Sequence, residues 1–315
     1  MMNSTQVSYL RLAAYVDTGL LKYVYFLIVL CVYVFIVGAN VFLIVVICVN
    51  RSLHEPMYMF LCSLFVNELY GSTGLFPLLL VQILSDVHTV PASLCYLQIY
   101  CIHCYGTVEY LSLAVMSYDR YLAICYPLQY SSHMSANRTA TLIALPWLYG
   151  LLACLIMICL SSSLQLCGNI IQKVYCDNHA IIKLACADTR LLNTLGLFSS
   201  FCAVGFPFMV ILYTYMQILK VCFSGSKQTR QKAVATCSPH LASVLNFTFG
   251  VSFELSQSRF DMRSVPAQIR ILMSLYWFLF QPLLNPLVYG LNMSKIRILF
   301  QKVFSLPRTI YRSSM

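Results

Sequence analysis

The chain has 315 residues, of which 60% are hydrophobic and only 10% are charged. Soluble globular domains carry about 25% charged residues, so this composition excludes that class and indicates that lipid surrounds most of the protein. The formal net charge of +10 lies in short segments between apolar stretches, which favours anionic lipid and a cytosolic protein over nucleic acid as partners.

Seven apolar stretches are long enough to cross a bilayer, because a spanning helix needs about 20 residues whose backbone groups bond within the segment. They are predicted at residues 23–49, 57–84, 95–118, 139–163, 191–219, 235–258 and 267–291. The first stretch carries no charge and is too long for the apolar core of a signal peptide, so we expect it to stay as an uncleaved anchor. The sequence therefore predicts an all-α membrane protein, a bundle of seven transmembrane helices.

The basic residues predict how the bundle is oriented. One set of loops, with the C-terminal segment 292–315, holds 12 of the 20 Lys and Arg residues with two carboxylates, and the other set holds eight with six. Cytoplasmic loops are the ones enriched in Lys and Arg, so the first set is expected to be cytoplasmic and the N-terminal tail 1–22 extracellular. Asn3 then becomes a predicted glycosylation site.

Four of the 15 cysteines are expected on the extracellular side. They are Cys95, Cys167, Cys176 and Cys186, whereas the other 11 lie in the spans or at their inner ends, where cysteine acts as a small hydrophobe. An even external set favours disulfides. Four cysteines allow three pairings, and their positions alone do not select one of them.

Polar residues at one depth of the bundle form a candidate ion or proton site. Asn40, Glu68 and Glu109 lie about 16 to 18 Å from the inner ends of the first three spans. Two carboxylates this far from water cannot both stay charged and unpaired, so either a proton or a cation lies between them. We predict a sodium or proton site at Glu68 and Glu109, supported by Asn40 and Asn285, and no other cofactor. The alternative is that each carboxyl is protonated and bonded locally.

Five motifs follow one another along the chain at helical depth. They are Gly38-Ala39-Asn40, PMYMFL at residues 56–61, MSYDRYLAICYPLQY at residues 116–130, KAVATCSPHL at residues 232–241 and PLLNPLVY at residues 282–289. Together they resemble the signatures of the rhodopsin-like G-protein-coupled receptors, and within that family those of the odorant receptors. The resemblance extends from Gly38 to Ile298.

The resemblance implies a plasma-membrane receptor without catalytic chemistry, which binds an odorant and activates a heterotrimeric G protein of the stimulatory, olfactory type. It implies the disulfides Cys95–Cys176 and Cys167–Cys186. It also implies an activation switch at the inner end of the bundle, in which Arg120 separates from Asp119. The residues of this switch are Asp119, Arg120, Tyr121, Tyr215, His240, Asn285, Pro286 and Tyr289.

The chain departs from the family pattern at a few positions. Glu68 replaces the usual Asp, and Thr248 lies where an aromatic residue is common. A short amphipathic eighth helix is expected near residues 293–304, where the absence of a cysteine leaves its apolar side chains to hold it at the membrane.

Antiparallel bundles bind small molecules between the outer halves of their helices. We therefore predict a ligand site lined by small and apolar residues of the third, fifth and sixth spans: Ile102, His103, Gly106, Thr107, Ser199, Ser200, Ala203, Val251 and Leu255.

Arg259 is a tenth candidate at this site. Ser258-Arg259-Phe260 resembles the Arg-Phe element of class I odorant receptors, and a guanidinium binds a carboxylate through two hydrogen bonds. This favours a small, polar or carboxylate-bearing ligand. Alternatively, Arg259 is an outer cation paired with Asp261 or Glu254.

Two other functions stay open. One is a receptor of the same fold for a non-odorant metabolite. The other is a transporter that uses Glu68 and Glu109 as a proton relay, although no internal repeat supports it.

Overall fold

Seven long helices account for most of the described chain. The computed structural model describes residues 7–259 and 265–292, without the side chains at positions 229, 232, 258, 259, 267, 291 and 292. The long helices are α1 Leu21–Val49, α2 Pro56–Leu84, α3 Ala92–Cys125, α4 Ala136–Ser162, α5 Arg190–Ser224, α6 Lys227–Arg259 and α7 Ala267–Asn292. Short helices lie in the loops at Arg51–Leu53, Pro127–Gln129, Tyr130–His133 and Asn178–Lys183. The predicted seven-helix bundle is confirmed.

The helices differ in how much lipid they face. Among the described residues, α1, α2, α4, α5 and α7 are long and apolar enough to cross a membrane by length and composition. Helix α3 is more polar. It packs against α2, α4, α5 and α6 at once. Its polar residues Glu109 and Asp119 can therefore face protein rather than lipid. Helix α6 begins in a basic stretch containing Lys227 and Arg230. Helices α3 and α6 are both longer than the apolar spans predicted for them.

Local sequence explains several of the helix ends. Pro56 occupies the first turn of α2, where its missing N–H costs no hydrogen bond. The hydroxyl of Ser135 accepts the N–H of Arg138 and caps α4. Helix α3 ends at Cys125, two residues before Pro127, as expected from the restricted backbone of a residue that precedes proline.

A small sheet joins the N-terminal segment to the outer loops. Its strands are β1 Tyr9–Leu12, β2 Thr89–Pro91 and β3 Ile170–Ile171, in the order β2-β1-β3. Strand β1 is antiparallel to β2 and parallel to β3, and it buries Leu10 and Leu12. The sequence did not predict this sheet, because strands of two to four residues are too short to show a period. The predicted tail 1–22 thus contains an ordered strand.

A close approach of α2 and α3 sets the centre of the bundle. A Cβ atom at Gly71 would lie only 2.4 Å from the ring of Tyr105, so glycine is required for these helices to meet here. Tyr105 is fully buried and belongs to the main core together with Phe65, Phe247 and Phe278. The approach places the Tyr105 hydroxyl next to Glu68, one turn before Gly71 on α2.

Candidate functional site

A cavity of about 540 Å³ lies between α3, α4, α5 and α6 beneath the loop that joins α4 to α5. Its lining includes nine of the ten ligand residues predicted from the sequence. These are Ile102, His103, Gly106, Thr107, Ser199, Ser200, Ala203, Val251 and Leu255. The structure thus brings these nine residues together around one space. That they bind a ligand stays a prediction.

Three predictions lie outside the described residues. The tenth ligand candidate, Arg259, is the last residue of α6, and its side chain is not described. The glycosylation site Asn3 and the eighth helix near residues 293–304 are not described either.

Both disulfides implied by the family pattern are present above this cavity. Cys95 at the start of α3 is bonded to Cys176, and Cys167 is bonded to Cys186 within the loop between α4 and α5. The first bond fixes the loop to the outer end of α3. The backbone N–H of Cys176 also donates to Gln98 Oε1 at 2.9 Å, which holds the loop at the same place.

The roof of the cavity contains a buried ion cluster that sequence reasoning did not predict. Lys173 Nζ contacts Glu254 Oε1 of α6 and lies 3.5 Å from Asp177 Oδ2. Burial by itself would lower the pKa of Lys173, but the two carboxylates outweigh it and raise that pKa. Burial would raise the pKa of Asp177, but Lys173 and nearby histidines lower it. Lys173 and Asp177 are therefore charged near neutral pH.

Other lining residues were also missed. They include Tyr149 and Met157 of α4, Asp177 and Asn178 of the loop, and Trp277 of α7. One signal in the sequence could have found the loop residues. Asp177 directly follows Cys176, and the implied bond from Cys176 to Cys95 places this stretch over the outer end of α3.

The wall contributed by α5 has an irregular backbone. Residues Phe201–Gly205 form a π-helical turn inside α5, and Cys202, Ala203 and Val204 from this turn line the cavity. A π turn adds one residue to a helix and changes which side chains face inward.

Trp277 forms the floor of the cavity and packs against aromatic side chains below it. The ring of Trp277 lies 5.6 Å from that of Tyr105 and 5.9 Å from that of Phe247, measured between ring centroids. Gly250 permits this packing, since a Cβ atom there would lie 2.5 Å from Trp277 Cβ. The floor therefore connects the cavity to the residues below it through direct contacts.

Below the floor, the two buried carboxyls predicted as an ion or proton site lie together. Asn285 Nδ2 is 2.5 Å from Glu68 Oε1 and 3.0 Å from Glu109 Oε1, so one amide bridges both groups. Glu68 Oε2 accepts the Tyr105 hydroxyl at 3.0 Å. Both glutamates are fully buried. The structure thus brings Glu68, Glu109 and Asn285 into contact, as the sequence predicted.

Two further amides complete this cluster and were not predicted. Asn67 Nδ2 donates to Glu109 Oε2 at 2.9 Å, and Gln281 Nε2 donates to Glu109 Oε1 at 3.0 Å. All the hydrogen-bond donors found on the two carboxyls are neutral. The groups directed at these carboxyls are N–H and O–H donors of neutral side chains. Whether a proton or a sodium ion lies between the two carboxyls stays a prediction.

Asn40 is not in hydrogen-bond contact with this cluster, in contrast to the prediction. Its Nδ2 donates to the carbonyl oxygen of Ile36 at 2.9 Å and to that of Pro282 at 3.1 Å. The residue four positions after Pro282 is Pro286, which has no N–H to give to that oxygen. Asn40 therefore supplies the donor that α7 lacks, and its role here is in helix packing.

The inner end of α3 has the predicted Asp-Arg pair. Arg120 Nε lies 3.9 Å from Asp119 Oδ2, and the hydroxyl of Tyr130 donates to Asp119 Oδ1 at 2.7 Å. Both members of the pair are buried, while Tyr121 is half-buried against Tyr126. The pair is closed in this structure, with Tyr130 as an additional partner.

Two other predicted switch residues contact each other between α5 and α6. The Tyr215 hydroxyl lies 2.7 Å from His240 Nδ1, and His240 Nε2 lies 3.0 Å from the carbonyl oxygen of Leu113. A carbonyl only accepts, so Nε2 carries the proton and Nδ1 accepts from Tyr215. Tyr289 is buried one turn after Asn285 and Pro286 on α7.

Comparisons with known proteins identify the family. A family model described as olfactory receptor matches residues 29–306. Mouse (Mus musculus) olfactory receptor 5M5 is 36% identical over 307 residues, which cover 96% of this chain and 94% of that protein. Human (Homo sapiens) olfactory receptors 11A1 and 10A6 are 32% and 33% identical, over 98% and 87% of this chain and 96% and 87% of their own lengths. The chain belongs to the olfactory receptor family.

Family membership gives the architecture a general role. Olfactory receptors are multi-pass G-protein-coupled receptors of the plasma membrane and are not enzymes.

Proposed function

We propose that this receptor binds a small, polar organic odorant in its outer cavity and activates a heterotrimeric G protein of the stimulatory type. The observation that carries the proposal is the cavity itself, which has a mostly apolar wall, an ionic roof and an aromatic floor. Few convergent polar groups in an otherwise apolar pocket are typical of sites for small molecules.

The contacts below the cavity support a route for the signal. Trp277 packs on Tyr105, the Tyr105 hydroxyl donates to Glu68, and Glu68 shares Asn285 with Glu109. A ligand that moves Trp277 would change this set of bonds, and Asn285 is one turn from Tyr289 at the inner end. For the two carboxyls themselves we propose a shared proton rather than sodium, because neutral donors surround them.

The orientation is part of the proposal. Strand β1 pairs with β3 in the loop that carries both disulfides, so the N-terminal segment and the disulfides are on the same side. Disulfides form in the oxidising compartment outside the cytosol, which supports an extracellular N-terminus. An epitope tag before residue 7 should be stained on intact cells. Staining only after permeabilisation would contradict this orientation.

The cavity is tested by filling it. We expect Ala203→Phe to abolish responses to a broad odorant panel, measured with a cyclic-AMP reporter, because the added ring occupies the ligand space. Ala144→Phe is the matched control, since Ala144 is exposed on the outer surface of α4. Equal responses of both variants at equal surface expression would contradict ligand binding in this cavity.

Cells that lack the stimulatory α-subunit should give no signal, whereas a response carried by an inhibitory α-subunit would contradict the proposed G-protein type.

The carboxylate-bearing form of the ligand depends on Arg259 alone. The cavity lining contains neither Lys nor Arg among the described residues. If Arg259 anchors an acid, Arg259→Ala removes responses to carboxylic acids. Unchanged responses across an acid panel would exclude it as the anchor.

A further inference from the structure

Among the described residues, the cavity is lined by two acidic side chains and by neither Lys nor Arg. Asp177 and Glu254 face the space, together with the imidazoles of His103 and His179, while Lys173 lies behind them and contacts both carboxylates. One Lys with one Asp and one Glu gives the cluster a formal net charge of −1. The side chains of Lys173, Glu254 and Asp177 are only 14%, 15% and 11% exposed, so water screens this charge weakly.

Each of the two carboxylates uses one of its oxygens for Lys173. Asp177 is the N-cap of the loop helix and accepts the N–H of Ala180 through Oδ2, the same oxygen that faces Lys173. Glu254 uses Oε1 for Lys173, and its buried Oε2 has no close hydrogen-bond donor among the described residues. The Tyr175 hydroxyl interacts with the same carboxylate at longer range. Glu254 thus has an acceptor oxygen without a close donor in a residue that lines the cavity.

A second buried acceptor lines the same cavity. Asn178 is only 8% exposed, lines the cavity, and has an Oδ1 atom that accepts no hydrogen bond within the described residues. Buried acceptors without a donor are costly and are normally satisfied. The amide oxygen of Asn178 and the carboxylate of Glu254 both require hydrogen-bond donors, and only the carboxylate selects for positive charge.

We propose that the cavity selects small aliphatic amines, with the ammonium group bound to Glu254 Oε2 and Asn178 Oδ1 and the alkyl tail on the apolar wall. This inference rests on the proposed function and narrows its ligand class. An ammonium group brings several N–H donors and one positive charge, so it satisfies both acceptors and neutralises the roof. A carboxylate ligand brings neither and would be repelled by Asp177 and Glu254. The tail would lie against Ile102, Met157, Val251 and Leu255.

One group in the cavity has the opposite preference. Trp277 Nε1 is a buried donor without a partner among the described residues, and it would favour an alcohol or an acid. Probes of equal chain length therefore separate the alternatives. They are n-hexylamine, 1-hexanol and hexanoic acid, applied to cells that express the full chain with a cyclic-AMP reporter.

We expect n-hexylamine to be at least about tenfold more potent than either of the other probes, and Glu254→Gln to reduce its potency about 30-fold or more by removing a buried charge partner. Glu254→Gln should leave 1-hexanol unchanged. Lys173→Met makes the cluster more negative and should raise the amine potency, whereas a purely structural role of Lys173 would lower all potencies together. Asn178→Leu leaves the three ions in place and should also weaken the amine response, which provides a test if Glu254→Gln does not reach the cell surface.

Several outcomes would overturn the inference. One is a receptor that responds to 1-hexanol or hexanoic acid but not to n-hexylamine, and in that case the proposed odorant-receptor function stands. A second is an equal loss of the amine and alcohol responses in Glu254→Gln. A third is a receptor present at the surface, with basal cyclic-AMP activity, that responds to none of the three probes. The proposed function itself fails only if the broad odorant panel is silent as well.

Discussion

The side-chain amide of Asn40 donates to the carbonyl oxygen of Pro282, 3.1 Å away on the seventh helix. Pro286 has no N–H to donate to that oxygen. Asn40 of α1 therefore supplies the hydrogen bond that is missing within α7. This contact ties α1 to α7 beside the segment that carries Asn285.

Loss of this contact should destabilise the bundle. We expect Asn40→Leu to cost about 1–3 kcal/mol, because the buried oxygen of Pro282 is then left without its donor. Thermal unfolding of the purified receptor in detergent measures the effect. Asn50→Leu is the control, since the amide of Asn50 donates only to Val46 within its own helix and lies at a half-buried end. A smaller effect for Asn40→Leu than for Asn50→Leu would contradict this role.

The carboxyl cluster should tolerate a neutral amide better than a deletion. If Glu68 and Glu109 share a proton, Glu109→Gln preserves most of the hydrogen bonds. Glu109→Ala removes one acceptor from each of the buried amides of Asn67 and Gln281, at about 0.5–1.5 kcal/mol for each lost bond. The two amides keep their bonds to the carbonyl oxygen of Tyr105 and to the hydroxyl of Ser243. We therefore expect a higher unfolding temperature for Glu109→Gln than for Glu109→Ala, and thermal unfolding of the two variants measures this difference.

The same proposal predicts that sodium has no specific effect. Agonist potency should not change when sodium chloride is replaced by choline chloride, and it should respond identically in wild type and Glu109→Gln. A sodium dependence present in wild type and absent in Glu109→Gln would show that an ion occupies the site.

The roof cluster gives a defined pH dependence. The pKa of Asp177 is lowered, so its stabilising contribution is present above the ordinary carboxyl range near pH 4 and is lost as the pH falls through the lowered value. The pKa of Lys173 is raised, so its contribution is present below about pH 10 and is lost above that range. The difference in unfolding temperature between wild type and Asp177→Asn should thus be constant from about pH 8 to 9, above the ordinary histidine range, and should decrease in stronger acid.

The control for this pH dependence is Asp188→Asn. Asp188 pairs with Arg190, and both side chains are largely exposed, at 68% and 92%. Exposed pairs contribute little to stability, so this variant should match wild type throughout. An equal effect of the two substitutions would mean that burial in the roof adds nothing to the ion cluster.

The inner switch should respond to the hydroxyl of Tyr130. Tyr130→Phe removes a hydrogen bond to the charged Asp119, a bond of about 1.5–3 kcal/mol, and so weakens the group that holds Arg120. We expect basal cyclic-AMP production to rise about tenfold. Tyr126→Phe removes a hydroxyl that is bonded only to Tyr121 at an exposed position, and it should leave basal activity unchanged. A fall in basal activity in Tyr130→Phe would contradict the role given to this bond.

Three features were predicted well from the sequence: the helices, the cavity wall and the carboxyl pair. Each of them depends on the spacing of residues within individual helices. Hydropathy located the spans, and helical depth brought Glu68 and Glu109 to one level. The ionic roof was missed because Lys173 and Glu254 are 81 residues apart, and only the folded loop brings them together. Asn40 was assigned to the carboxyl site because depth specifies a level in the bundle but not the direction in which a side chain points.

The π-helical turn at Phe201–Gly205 has a consequence for how α5 is compared between receptors. One added residue rotates everything after it by about 100° relative to a regular helix. A helical wheel that treats Arg190–Ser224 as one regular helix, with Ser199 as the reference position, would therefore place Tyr215 on the wrong side of α5. Scanning mutagenesis of this segment needs two separate wheels, one on each side of Gly205, and alignments of α5 should permit a one-residue gap there.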